Sequence, residues 1–236
     1  MKHLTIFVIA VSIFLIPFAA GAMSLVDTQY VKNSDITIKY NGSNRSTSAG
    51  EFKAQIRDDD GNLLNDGEWF TGLCVELDQY AKLGGELDVD LVEPSQKEGG
   101  LLAAWLFENR DFYKEEHAIW SQYEVTGLQL AIWEVTHDYT DDMNFSLSSG
   151  NFQVVKANSY AKNLANFYLT SLATYYDPTG LEDKYRISMN ADKQDFIIGG
   201  LPIEVEPPLA TPEPATLLLL GLGIIGLFGL KHKAKK

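Results

Sequence analysis

The chain holds one cysteine, Cys74, and a solitary thiol has few uses. A disulfide needs two sulfurs, so Cys74 is a free thiol, an intermolecular crosslink or a reactive centre. No Cys-x-x-Cys pair and no Cys/His ligand spacing accompanies it, so no metal and no cofactor is expected. Glu76, two residues on, shares the strand face of Cys74 if that segment is extended. His117 and His137 are the imidazoles that could serve a thiol as general base. Each group also has an ordinary role: a small buried residue for Cys74, a hydrogen-bonded carboxylate for Glu76, a surface or core histidine for the others. Gln129 follows Thr126 by three residues, the spacing of a capping box, where its amide would bond back to the N-cap backbone.

These side chains need elements to position them. Trp69–Leu77 (WFTGLCVEL) is a mostly apolar run that predicts a buried strand carrying Cys74. Thr126-Gly127-Leu128-Gln129 predicts the start of the helix LQLAIWEVTHD, with Gln129 in its first turn and His137 about two turns further along. Ile36, Ile38 and Tyr40 alternate within Ser34–Tyr40 and predict a strand. Glu51–Ile56 and Leu63-Leu64 flank Asp60-Gly61, a hairpin turn signal. Asp58-Asp59-Asp60-Gly61-Asn62 also resembles the start of a calcium loop, but its twelfth position is Trp69 rather than glutamate, so a turn is expected. Ser95 and Glu98 form a second capping-box pattern ahead of Leu101, Leu102, Trp105 and Leu106. A third helix is predicted from Phe152 to about Ala173, with Ala161, Leu164, Tyr168 and Leu172 on one stripe, ended by Asp177-Pro178-Thr179-Gly180. Tyr185–Met189 and Phe196–Ile198 read as closing strands. Strands, then helices, then strands predict an α+β fold: a β-sandwich or barrel-like sheet with a helical insertion.

The two ends read as addresses. Lys2 and His3 precede an apolar run to Phe18 and the small residues Ala20-Gly21-Ala22, so residues 1–22 are predicted to be a signal peptide. At the other end, Pro202–Pro214 is a proline-rich linker, Ala215–Leu230 carries no charge, and Lys231, Lys233, Lys235 and Lys236 follow. At 1.5 Å per residue the apolar run reaches roughly 24 Å, which snorkelling lysines extend toward the thickness of a bilayer core. A transmembrane helix over residues 215–230 with a basic cytoplasmic tail over 231–236 is therefore expected. Pro212-Glu213-Pro214, an apolar helix and a basic tail resemble a PEP-CTERM sorting signal. That resemblance implies an exosortase as partner, transient anchoring in the inner membrane, and release to the surface of a Gram-negative bacterium that makes exopolysaccharide.

Between the addresses lie residues 23–201, enough for one domain with a sizeable core. The formal charge of the whole chain is −13. Setting aside Lys2, the four tail lysines and Glu213 leaves 14 basic and 31 acidic residues, near −17 for the exported part. That charge excludes nucleic acid as a partner, because phosphates need lysine and arginine.

Leu73-Cys74-Val75-Glu76 and Leu128-Gln129-Leu130-Ala131-Ile132-Trp133 resemble the two signature blocks of bacterial Cys-Gln thioester domains, found in surface adhesins. Those blocks are a cysteine after an apolar residue on a strand and an apolar-Gln-x-x-apolar-apolar helix. Leu73 stands where an aromatic is frequent. The resemblance implies a thioester between the Cys74 sulfur and the Gln129 side-chain carbonyl, formed with loss of ammonia. On this reading Gln129, at a helix start, would have free N–H groups and the positive dipole end nearby to stabilise an oxyanion. Trp69, Phe70, Leu128 and Trp133 would exclude water, and Thr126, Glu76 and His137 complete the supporting shell.

The leading expectation is an exported surface or matrix protein, not a turnover enzyme, that captures an amine- or hydroxyl-bearing molecule for adhesion or matrix attachment. The alternatives are a structural matrix protein in which the bond is only an internal crosslink, and a hydrolase pairing Cys74 with His117 or His137.

Overall fold

The computed structural model describes residues 23–113 and 121–199. The chain divides into Met1–Pro202 and Ile203–Lys236. The predicted signal peptide, Pro212-Glu213-Pro214, the predicted transmembrane helix and His117 lie outside the described residues. Among those described, no helix is long and apolar enough to cross a membrane.

Among the described residues, seven strands and four α-helices run in the order β1 (Met23–Tyr40), β2 (Ser43–Arg57), β3 (Phe70–Cys74), β4 (Glu86–Val92), α1 (Gly100–Glu108), α2 (Gln122–His137), β5 (Phe152–Lys156), α3 (Ser159–Tyr175), α4 (Leu181–Lys184), β6 (Tyr185–Met189) and β7 (Phe196–Gly199). The expected α+β architecture is present, and every strand pairing is antiparallel. The sheet order is β2-β3-β7-β6-β4-β1-β5, and β1 also pairs with β2. Six strands therefore close into a ring, with β5 attached to β1 outside it.

Closure depends on β1. One edge follows β2 along most of its length, while the other pairs with β4 at Met23–Val26 and with β5 at Thr37–Tyr40. A strand serves two neighbours on one edge by bending, and β1 is irregular between Val26 and Gln29 and between Tyr30 and Lys32. Asp27 lies in this stretch with φ 53°. The tight turn from β1 to β2 is Asn41-Gly42, with φ of 49° and 80°, both positive as a two-residue hairpin of the favoured hand requires.

The helices form the second layer. From Val125 to Thr136 every residue of α2 is buried, as befits a helix enclosed on all sides. It lies between α1 and α3 and rests on β1 and β2.

Several boundaries differ from the sequence expectation. The helix predicted to open at Thr126 begins at Gln122, capped by Ser121 in a capping box with Glu124. Two successive S/T-x-x-E/Q patterns, Ser121–Glu124 and Thr126–Gln129, were available, and Gly127 marks a helix crossing rather than a helix start. A Cβ there would come 2.9 Å from the Ala161 carbonyl oxygen on α3. The Ser95 capping box is absent: Pro94–Gln96 is a single 3₁₀ turn, and α1 starts after Gly99 at φ 69°. A Cβ on Gly99 would fall 2.1 Å from the Val135 carbonyl oxygen, so packing against α2 sets that start. Phe152–Lys156, predicted as helix, is strand β5, and Asn158 caps α3 by accepting a bond from the Tyr160 N–H. The alternating strand β4 was not foreseen. The Asp58–Asn62 segment is a turn, with the Asn62 N–H on Asp58 Oδ1 at 2.7 Å, and Leu63 contributes only a single bridge to Arg57.

Candidate functional site

Cys74 ends β3, where its register with β7 places it opposite Phe196. The next residue, Val75, donates its N–H to the Asp195 carbonyl on the β7 side at 3.0 Å. Backbone groups alternate along a strand, so the N–H and C=O of Cys74 face the other way, toward β2. The β2–β3 ladder stops one residue earlier, at Glu51 opposite Leu73. Cys74 thus presents a buried donor and acceptor with no strand to meet them, a costly arrangement unless something else supplies partners.

Gln129 supplies both. The Cys74 N–H donates to Gln129 Oε1 at 2.9 Å, and Gln129 Nε2 donates to the Cys74 carbonyl at 2.7 Å. The carboxamide occupies the ladder position that β2 vacates and pairs with β3 as a peptide group would. Gln129 is fully buried and Cys74 is 4% exposed.

The expectation for the oxyanion changes accordingly. Gln129 is the eighth residue of α2, two turns past the Ser121 cap, so no free helix N–H reaches its side chain. The donor on the side-chain carbonyl is the N–H of Cys74 itself. It polarises the same carbonyl carbon that the thiol of that residue would attack. Burial pushes the Cys74 thiol up to about 12, so the sulfur is held as the neutral thiol rather than the thiolate. Burial also raises the Tyr30 hydroxyl, and Cys74, where ionised, raises it further.

The surrounding side chains divide. Leu128 and Trp133 are buried at 1%, and the Trp133 ring lies 6.1 Å from that of Phe152. Phe70 is buried, whereas Trp69 is 41% exposed with the Lys53 ammonium 4.4 Å over its ring. Thr126 sits inside α2 and donates its hydroxyl to the Gln122 carbonyl at 2.7 Å. Glu76 accepts the Asp195 N–H at 3.2 Å, and burial, then the neighbouring Asp195, raises its carboxyl. His137 closes α2 and meets the Tyr40 ring edge-on at 4.8 Å. Burial holds its imidazole down to about 4, so it is neutral. No hydrogen bond among the described residues joins it to Cys74.

Two features of this region escaped the sequence reading. Glu134, in the apolar stretch Ala131–Val135, is 1% exposed, and burial pushes its carboxyl up to about 7. One carboxyl oxygen accepts the Ser146 N–H at 2.6 Å, and the other has no partner among the described residues. A lone acid in an apolar helix run is a legible signal. The ion pair of Lys97 and Asp195, 2.9 Å long across the segment beside Cys74, joins loops far apart in sequence and carried none. Among the described residues no cluster suited to a metal ion exists.

Residues 210–233 match the PEP-CTERM protein-sorting motif, which implies export and processing by an exosortase. A comparison with curated proteins finds no match. Among solved structures, the chain is similar to the N-terminal thioester domain of fibronectin-binding protein SfbI from Streptococcus pyogenes. The identity is 15%, the match covers 74% of this chain and 99% of that one, and the TM-score is 0.38. At that score the overlay shows neither shared fold nor shared chemistry.

Proposed function

We propose that this chain is an exported surface or matrix protein in which Cys74 and Gln129 form an internal thioester that captures a nucleophile. The observation that carries the reading is the two-way pairing of the Gln129 carboxamide with the Cys74 main chain. The thiol sulfur attacks the side-chain carbonyl carbon, and the Cys74 N–H bears the charge that develops on the oxygen. The carbon–nitrogen bond breaks, and the amide nitrogen leaves as ammonia with the thiol proton. An amine or hydroxyl on a target then attacks the same carbon, the carbon–sulfur bond breaks, and the thiol is restored as a stable amide or ester forms. Each molecule reacts once, so the protein is not a turnover enzyme. The PEP-CTERM signal fits this role, because a covalent captor works where it meets matrix or a neighbouring cell.

Burial favours a second reading, in which the thioester is an internal crosslink that ties β3 to α2 and meets no outside nucleophile. A Cys/His hydrolase is the weaker alternative, since His137 points its chemistry at Tyr40 rather than at the thiol. Intact mass separates the three. A thioester lowers the mass by one ammonia, and the deficit is absent in Cys74→Ala and Gln129→Ala; an unaltered mass in the unsubstituted chain would sink the proposal. Incubation with methylamine restores mass through an adduct for a captor and leaves a buried crosslink unchanged.

A further inference from the structure

The β2–β3 ladder covers only Glu51–Ala54 of β2 on that edge. Gln129 fills the position opposite Cys74, and from there to Ser43 the same edge of β2 has no strand partner among the described residues. A groove of about 800 Å³ lies there, lined by Arg45–Ser48 of β2, by Tyr30 and Ile38 of β1, and by residues 77–81 opposite. Ile38 and its partner Arg45 share one face of the sheet, while Ser46 and Ser48 point to the other, so the groove reaches Ser46 and Ser48 round the edge of β2.

The hairpin geometry identifies those groups. Across a two-residue turn, Tyr40 and Ser43 bond each other, and bonding alternates from there. Ser43, Arg45 and Thr47 therefore turn their backbone groups to β1, while Asn44, Ser46 and Ser48 turn theirs outward into the groove. The Arg45 guanidinium donates to the Leu77 carbonyl at 3.0 Å and fixes the opposite wall.

We infer that this edge docks an extended, lysine-bearing polypeptide segment as an added strand, and that docking delivers its amine to the thioester. The second half rests on the proposed captor function; the first does not. A segment paired with Asn44–Ser48 lies on the same edge of β2 as β3 and in line with it. Its end therefore arrives beside the Gln129 carboxamide and Cys74. Main-chain pairing supplies affinity with little demand on sequence. The charge near −17 on the exported part favours a basic segment, and the outward groups amount to roughly 17 Å of strand.

Docking is measured on the full chain carrying Cys74→Ala, which keeps the Gln129 pairing and forms no thioester. Fluorescence anisotropy with short labelled peptides, β-branched, lysine-bearing and flanked by basic or acidic residues, should give Kd at or below about 100 µM for the basic ones. Adding Ser46→Pro, which removes one outward N–H, should weaken binding at least about tenfold. Hydrogen exchange on the chain with native Ser46 covers the case of a misfolded proline variant: peptide should protect the amides of Asn44, Ser46 and Ser48. The inference is overturned if no peptide binds, if protection appears elsewhere, or if this edge is already protected by a second copy of the chain. An absent ammonia deficit in the unsubstituted chain would remove the capture step and leave the docking result standing.

Discussion

The carboxamide of Gln129 pairs with the main chain of Cys74 in both directions, at 2.9 and 2.7 Å, and so completes a strand edge from the middle of a helix. This pairing makes the two residues unequal. Gln129→Ala strips partners from a buried N–H and a buried C=O, at about 1–3 kcal/mol each. Cys74→Ala keeps both bonds and loses only a small side chain, about 1 kcal/mol. Urea unfolding should rank Gln129→Ala as clearly the less stable variant, and equal midpoints would mean that the pairing does not hold the strand.

Formation of the bond should depend steeply on pH. With the thiol at about 12, the reactive thiolate is scarce at neutrality and rises about tenfold per pH unit. Chain refolded from denaturant should lose ammonia faster at pH 8 than at pH 7 by about that factor. A rate that is flat across this range would point to a base beside the sulfur.

Much of this site was readable before the fold. Cys74 on a buried strand and Gln129 on a helix were both placed correctly by their apolar flanks. The position of Gln129 within the helix was not, because Ser121–Glu124 and Thr126–Gln129 fit the same capping pattern. Only the contact of Gly127 with Ala161 distinguishes a helix crossing from a helix start. Strand β4 was missed although Leu87 and Val89 alternate, since acids fill the positions between them. The closure of the ring, the vacancy opposite Cys74 and the free edge of β2 depend on register between distant strands, which local pattern does not encode.

Gly127 gives a prediction of its own. In an exposed helix, glycine to alanine gains about 1 kcal/mol. Here the added methyl lies 2.9 Å from the Ala161 carbonyl oxygen and 3.0 Å from Leu164 Cβ, so α2 and α3 must move apart. Gly127→Ala should lower stability by about 1–3 kcal/mol, read as a fall in thermal midpoint. A rise would show that the crossing has slack.

Glu134 and His137, one turn apart on α2, should set opposing slopes of stability against pH. Burial raises the Glu134 carboxyl to about 7, so between about 4.5 and 7 the folded chain binds more protons than the unfolded one at this site. Its contribution is full below about 4.5 and is lost as pH rises through 7, on the order of 2 kcal/mol. Burial lowers the His137 imidazole to about 4, so its contribution is present above about 6.5 and is lost as pH falls toward 4. From 4.5 to 6.5 the two partly cancel, and from 6.5 to about 7.5 the Glu134 slope is the larger as that of His137 dies away. Glu134→Gln keeps the acceptor for the Ser146 N–H and cannot ionise. It should therefore flatten the fall in urea midpoint between about pH 6.5 and 7.5, while His137→Asn should flatten the loss on the acid side and change that window little. If Glu134→Gln retains the full slope above pH 6.5, the carboxyl is ionised in the folded chain at lower pH than its burial implies.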